Sequence, residues 1–290
     1  MNERDFYKKD FGLKDLHDRM FEILKYVHYF CQENKIDYCL AYGSALGAIR
    51  HKGFIPWDDD ADIYMTVEGY RRFRELFWKV GDKEKFYLQE LDAIDGLLSM
   101  AKLRMNETAF IEPLFKDYDM HQGIYIDIFI LYDAPLNRYQ RYFMNMARQY
   151  LVLKGLSNRR YCRKKLFIPI LALMRLFPYN FLRKNALMLL HKYENKDAEE
   201  VFDPDLRKYK KSFYRKDLIF PARRAEFITE KLFVPAKAEE YLKWVYGDYM
   251  AFPEIESIQK AQHAIIWNVN RDFRYFAPNI HDFSDEHKEK

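Results

Sequence analysis

Four aspartates fall within five positions in Trp57-Asp58-Asp59-Asp60-Ala61-Asp62. On an extended chain alternate side chains share a face, so Asp58, Asp60 and Asp62 point one way and Asp59 the other. Three like charges on one strand face repel and would weaken a sheet unless something positive compensates. A divalent cation does that directly. Magnesium takes hard oxygen ligands, commonly one or two carboxylates completed by phosphate oxygens and water. The competing reading is a solvated acidic turn; it loses ground because the run leads straight into an alternating apolar segment. A further carboxylate, Asp127, stands among the isoleucines and aromatics of Ile124 to Leu131, where burial demands a partner or a metal. If its strand lay beside residues 60–67, three carboxylates would form a cage.

Gly43-Ser44 follows a short apolar strand and precedes a helix. Glycine lets the backbone approach a phosphate, and the free N–H groups of a helix start favour anionic oxygens. The nearby positive residues are Arg50, His51, Lys52, Lys102 and Arg104. Such groups stabilise charge on transferring oxygens or on a leaving phosphate. Neither GxxxxGK[ST] nor GxGxxG occurs, so a P-loop and a dinucleotide site are both unsupported.

The elements that must position these residues follow from periodicity. Residues 13–31 read as an amphipathic helix, 38–42 as a strand, 45–50 as the start of a helix and 60–67 as a strand. A helix over 69–80 and strands at 86–90, 97–104 and 124–131 follow, with Met100, Lys102 and Arg104 on one face. The first 135 residues therefore read as an α/β unit, a mixed sheet with helices packed on it. Residues 136–290 read as mostly helical, with segments at 138–154, 182–193 and 236–246.

The 290 residues can bury a sizeable core, and a formal charge of +4 from 48 basic and 44 acidic residues demands no polyanionic partner. The 23 Tyr and 24 Phe suit a core, with some rings free to line a groove for sugars. Cys31, Cys39 and Cys162 form no CxxC pair, so a reduced, cytoplasmic setting is expected. The opening MNERDFYKKD lacks the apolar stretch of a signal peptide, and no run reaches the length of a membrane span. The basic, aromatic run YKKSFYRK around Lys210 and Lys211 lacks an accompanying RNA-recognition motif, so nucleic acid is not the expected partner.

The stretch from Tyr42-Gly43-Ser44-Ala45-Leu46-Gly47 through Arg50-His51-Lys52-Gly53 to Pro56-Trp57-Asp58-Asp59-Asp60-Ala61-Asp62-Ile63 resembles the signature of the LicD family. These are phosphorylcholine transferases and fukutin-related proteins. Further stretches are similar in the same order: Ala101-Lys102-Leu103-Arg104 with Thr108, Ile126-Asp127-Ile128-Phe129, Phe220-Pro221, and Tyr246-Gly247-Asp248-Tyr249-Met250 with Pro253 and His263. The resemblance implies a polymerase-β-type nucleotidyltransferase core. In it Asp60 and Asp62 are the metal-binding pair, Asp127 the third carboxylate, and Gly43-Ser44 the phosphate-binding turn. It implies Mg2+ or Mn2+ as cofactor and a CDP-activated donor carrying choline, ribitol or glycerol. The acceptor it implies is a hydroxyl of a cell-surface glycan, free or lipid-linked, in a teichoic acid, capsule, lipopolysaccharide or protein glycan. The chain departs from the family pattern after Phe129, where relatives often carry proline, and near Met250, where a proline pair is common.

The expected catalytic set is Asp60, Asp62 and Asp127, with Gly43, Ser44, Arg50, Lys102 and Arg104 toward the phosphates and Asp58 and His263 in support. The alternative reaction is transfer of NMP itself to a small molecule or RNA end, releasing pyrophosphate in place of CMP. A further alternative is an inactive glycan-binding scaffold. Residues 159–185, five basic residues leading into the apolar run 166–174, are read as contacting the inner face of an anionic membrane. A core helix is the other reading of that run.

Overall fold

The computed structural model describes residues 11–90, 100–116, 118–158, 168–176, 179–192, 198–206, 208–259 and 262–278. In chain order the elements are α1 (Lys14–Glu33), β1 (Tyr38–Leu40), α2 (Tyr42–His51), β2 (Asp62–Thr66), α3 (Val67–Val80), β3 (Phe86–Gln89), β4 (Ala101–Met105), β5 (Ala109–Ile111) and β6 (Tyr125–Asp133). After them come α4 (Arg138–Asn158), α5 (Ile168–Leu176), α6 (Tyr179–His191), β7 (Glu200–Phe202), β8 (Phe213–Arg215), β9 (Arg223–Phe227), β10 (Glu230–Val234), α7 (Ala238–Tyr246), α8 (Ile255–Gln259) and β11 (Ile266–Asn268).

The central sheet runs β1-β2-β6-β4-β3, with β7 continuing from the end of β6 and β8 pairing β7. β2 and β6 are parallel and the other neighbours antiparallel, so the sheet is mixed as its sequence pattern predicts. β6 is buried on both faces from Tyr125 to Tyr132, which is why its alternate positions are apolar on both sides. β2 is shorter than the expected strand over 60–67. The strand begins at Asp62, residues 58–61 are irregular, and Asp62 and Tyr64 are as buried as Ile63 and Met65.

α1 lays Leu16, Met20, Ile23, Leu24 and Val27 into the core at helical spacing, against the strands. α3 starts the moment β2 ends, because the Thr66 hydroxyl caps it by accepting from the Gly69 amide at 3.1 Å. α2 starts three residues before its expected position, so Gly43 and Ser44 belong to its first turn. It closes on Lys52 in the left-handed region at φ 57°.

The second half contributes helices as expected, and five short strands with them. β7 and β8 extend the central sheet, β9 and β10 form a hairpin, and β11 pairs β5. Residues of both halves share the main apolar core, among them Phe202, Tyr214, Phe227 and Tyr241. Of the segment 159–185, the basic run 159–165 lies outside the described residues. Among the described residues no helix is long and apolar enough to cross a membrane.

Candidate active site

Sheet register builds the centre of the site. Asp62 on β2 is the partner of Asp127 on β6, and Asp127 is in turn the partner of Lys102 on β4. In-register residues on neighbouring strands project to the same face, so the three form a row across the sheet. Lys102 Nζ lies 2.7 Å from Asp127 Oδ1, both side chains being nearly inaccessible. The Tyr125 ring sits 3.3 Å from that ammonium and adds its electron-rich face. The adjacency of Asp127 to the 60–67 segment, conditional in the sequence, is therefore present.

α2 fixes the near end of β2. The Ser44 hydroxyl accepts from the Asp62 amide at 2.8 Å, which makes the Gly-Ser turn a clamp on the acidic loop. Gly43 has a steric reason to be glycine: a Cβ there would come 2.7 Å from Asp58 Oδ2. The chain enters this turn through Tyr42 at φ 38°, a conformation that L side chains seldom adopt. A buried network holds it there. Tyr42, Tyr64 and Tyr214 donate their hydroxyls to Asp203 Oδ2 at 2.7, 2.5 and 3.3 Å, and the Asp205 amide donates to Oδ1. Tyr241 accepts from the Tyr42 amide at 3.2 Å. Nothing in the sequence around Asp203 and Pro204 marks this anchor, because its partners lie up to 161 positions away.

Asp59, in the irregular stretch before β2, receives the C-terminal segment. The His263 imidazole donates from Nδ1 to Asp59 Oδ1 at 2.8 Å, and the amides of His263 and Ala264 donate to Oδ2 at 2.7 and 3.1 Å. The Asp59 bond raises His263 to about 9 against the cost of burial, so the imidazole is charged at neutral pH. Burial opposes ionisation of Asp59, yet His263 and the amides hold its carboxyl below the ordinary value. His263 Nδ1 is also 3.7 Å from Asp60 Oδ2, bringing its charge to the edge of the row.

The inward carboxylates behave in the opposite way. Burial pushes Asp62 well above the usual carboxylate range, and the charges of Asp60, Asp127 and Asp58 push it further. Asp58 is raised by burial and then by Asp60 and Asp59. Asp60 is pushed up to about 6, burial outweighing the relief from His263. Asp127 is raised by burial despite Lys102 beside it. Among the described residues no three His, Cys, Asp or Glu side chains converge as a ready-made metal cage. What is assembled is a buried group of mutually repelling carboxylates beside the first turn of α2, the donor chemistry that a hard divalent cation with added phosphate oxygens satisfies.

The remaining expected residues divide. Arg50 lies on the rim, its Nη1 donating to the carbonyls of Tyr249 and Ala251 at 2.9 and 3.3 Å, with its guanidinium 4.9 Å from the Phe252 ring. It thereby pins the loop after α7, whose Phe252 ring lies 5.8 Å from the Trp57 ring just ahead of the acidic run. Arg104 is in the interior, donating from Nε to Gln89 and from Nη1 to the Gly123 carbonyl. Tyr246, at the end of α7, opens one of the family-like stretches without being among the expected site residues; burial and then the charges of Asp62, Asp58 and Asp60 raise its phenol, which marks it as their neighbour. In the basic run at 208–216, Lys211 donates to the Trp244 carbonyl, Lys216 to Asp133 and Arg215 to Asp217, so these charges serve internal contacts.

A model of the family described as "LicD/FKTN/FKRP, nucleotidyltransferase domain" matches residues 35–169, which include the acidic loop, Lys102 and Asp127. The lipopolysaccharide cholinephosphotransferase LicD of Haemophilus influenzae is 30% identical over 254 residues, covering 83% of this chain and 92% of that protein. An uncharacterized protein of Rickettsia typhi is 37% identical over 57 residues, 20% of this chain and 18% of that protein. With a nearly full-length relative, a matching nucleotidyltransferase domain over residues 35–169 and a mixed sheet that gathers the signature carboxylates, the chain belongs to the LicD family.

Proposed function

We propose that the protein transfers a phosphorylated alcohol, phosphocholine or ribitol or glycerol phosphate, from a CDP-activated donor to a hydroxyl of a cell-surface glycan. The observation that carries this reading is the row Asp62–Asp127–Lys102 abutting the Gly43-Ser44 turn, with Asp60 at its edge. Support for the donor class comes from the Haemophilus influenzae relative, whose name makes it a cholinephosphotransferase acting on lipopolysaccharide.

In the reaction the acceptor oxygen attacks the phosphorus that bears the alcohol. A new P–O bond forms, the bond from that phosphorus to the bridging oxygen of CMP breaks, and CMP leaves with the electron pair. Asp60, Asp62 and Asp127 would hold Mg2+ or Mn2+, which when bound supplies charge neutralisation at the diphosphate and acidifies the attacking hydroxyl. Asp127, raised by burial, would take the acceptor proton. Lys102 keeps that carboxylate oriented along the row. The first turn of α2 offers amides to the diphosphate oxygens, and the absent Cβ at Gly43 keeps Asp58 close. Arg50 holds the 249–252 loop as one wall, and His263 ties the C-terminal segment down as another.

The alternative, transfer of NMP with release of pyrophosphate, uses the same carboxylates. The near-complete coverage of the cholinephosphotransferase favours the first reading. Asp60→Ala and Asp62→Ala test the site. Each should abolish turnover with an unaltered unfolding profile, and EDTA should stop the parent protein until magnesium or manganese is returned. Substantial turnover in either variant would overturn the assignment.

A further inference from the structure

Charge is unevenly spread along the chain. From Ala134 to Tyr193 there are 13 Lys and Arg and no Asp or Glu, whereas the whole chain is only +4. The rest of the protein is therefore net negative, and the excess positive charge falls in the stretch of sequence that contains α4, α5 and α6, where Arg138 and Lys184 are exposed. Those helices pack on one another, α4 against both of its successors.

The same unit leaves apolar side chains uncovered. On α4, Tyr139, Tyr142, Phe143 and Met146 are 62%, 55%, 51% and 46% exposed. Their spacing places them on one face of the helix. Met144 and Ala147 turn inward and are buried. On α5, Ile168, Pro169, Ile170, Ala172 and Leu173 are exposed and Leu171 is buried. The Ser157 hydroxyl donates to the Leu171 carbonyl at 2.6 Å, fastening α5 to the end of α4. The expectation of an ordinary core helix at 166–174 thus fails for its described residues. α5 is anchored by one side and shows aliphatic groups on the others.

A partner for this surface must accept apolar side chains and carry negative charge. A second copy of the chain meeting it face to face would set like charges such as Arg138 and Lys184 against each other, with no acidic residue in this stretch to answer them, which repels. Nucleic acid answers the charge and would stack on Tyr and Phe, but it offers nothing to Ile168, Ile170, Leu173 and Met146. A bilayer with anionic headgroups answers both requirements. We propose that α4, α5 and α6 form a membrane-docking surface that seats the protein on an anionic lipid face. Tyr139, Tyr142, Phe143 and Met146 enter the headgroup boundary from α4, and Ile170 and Leu173 from α5. The surface shifts the expected contact of 159–185 toward α4. It stands on exposure and charge and not on the donor chemistry above, so vesicle binding and CMP release can fail separately.

The test is flotation of the full chain with vesicles of phosphatidylcholine alone and of phosphatidylcholine mixed equally with phosphatidylglycerol. Binding should favour the anionic vesicles and weaken as salt rises. Phe143→Ser with Leu173→Ser should lower partition about tenfold per residue, and Arg138→Ala with Lys184→Ala about fivefold per residue at low salt. All four positions are exposed, so the melting temperature should hold. Hydrogen exchange of the unsubstituted chain on vesicles should slow in α4–α6, which needs no variant. Three results would each overturn the proposal. They are protein left unbound with anionic vesicles at low salt, binding indifferent to the Phe143 and Leu173 changes, and exchange slowed elsewhere but not in α4–α6. A single-stranded RNA that binds through the basic residues and ignores the apolar pair would reassign the surface to nucleic acid.

Discussion

Replacing Lys102 with Met keeps the aliphatic stem and removes the ammonium from the centre of the row. Nζ lies 2.7 Å from Asp127 Oδ1, with side-chain exposures of 4% and 10%. At an effective dielectric of ~20 that separation corresponds to about 6 kcal/mol of attraction. Desolvation of both ions offsets much of it, but removing one partner leaves the other charge buried and alone, at a cost of about 3–5 kcal/mol. Domains are held by ~5–15 kcal/mol, so the variant should fold with a markedly lower urea midpoint. Adding Asp127→Asn removes the orphaned charge, and the double variant should regain at least ~1 kcal/mol over Lys102→Met alone. A cation at the carboxylates would replace the missing positive charge. Magnesium should therefore raise the midpoint of Lys102→Met by more than that of the parent protein, a readout independent of turnover. The assay is urea unfolding in EDTA and in saturating magnesium. A loss below about 1 kcal/mol, or a double variant no more stable than the single one, would refute the charge coupling along the row.

Gly43→Ala places a methyl 2.7 Å from Asp58 Oδ2. A helical alanine gains up to ~1 kcal/mol over glycine while overpacking costs about 1–3 kcal/mol, so the melting temperature should move little and turnover should fall at least ~10-fold; unaltered kinetics would contradict the role of this contact. Asp203→Asn keeps the shape but weakens the acceptor shared by Tyr42, Tyr64 and Tyr214, with an expected stability loss of about 2–4 kcal/mol by denaturant titration. His263 is raised to about 9 by Asp59, so its stabilisation is full below the ordinary imidazole pKa and is lost as pH rises through about 9. The depressed Asp59 contributes above its ordinary carboxylate pKa and fails as pH falls through its lower folded value. Metal-free protein should accordingly show proteolytic release of the segment around His263 at high and at very low pH, whereas His263→Asn should show it at neutral pH as well.

Much of the site could be read from the chain because its parts are local. The acidic loop, the Gly-Ser turn and the isoleucine-flanked Asp127 each sit in a short window whose periodicity names the element that holds it. β6 is legible for the same reason, its apolar residues being nearly continuous. The pairing of Asp62 with Asp127 and of Asp127 with Lys102 depends on strand order, and local pattern carries no information on that. Within β2, Tyr64 is buried because its hydroxyl finds Asp203, a partner that local alternation does not reveal. The roles of Asp59, Asp203 and Tyr246 rest on partners more than a hundred residues away, and Arg104 reads as a phosphate ligand only until its contacts with Gln89 and Gly123 are seen. The short strands β7 to β11 were hidden by length, since three to five residues scarcely establish an alternation.

The proposed activity turns on which bond is broken in the donor. The most direct measurement presents the protein with CDP-choline, CDP-ribitol and CDP-glycerol, each with magnesium and a lipopolysaccharide or teichoic acid acceptor, and follows free nucleotide by chromatography and acceptor mass. CMP should appear with one of these donors in step with an acceptor mass gain of the corresponding phosphoalcohol, and Asp62→Ala should produce neither. Pyrophosphate released from a nucleoside triphosphate, with every CDP-linked donor left intact, would contradict the account.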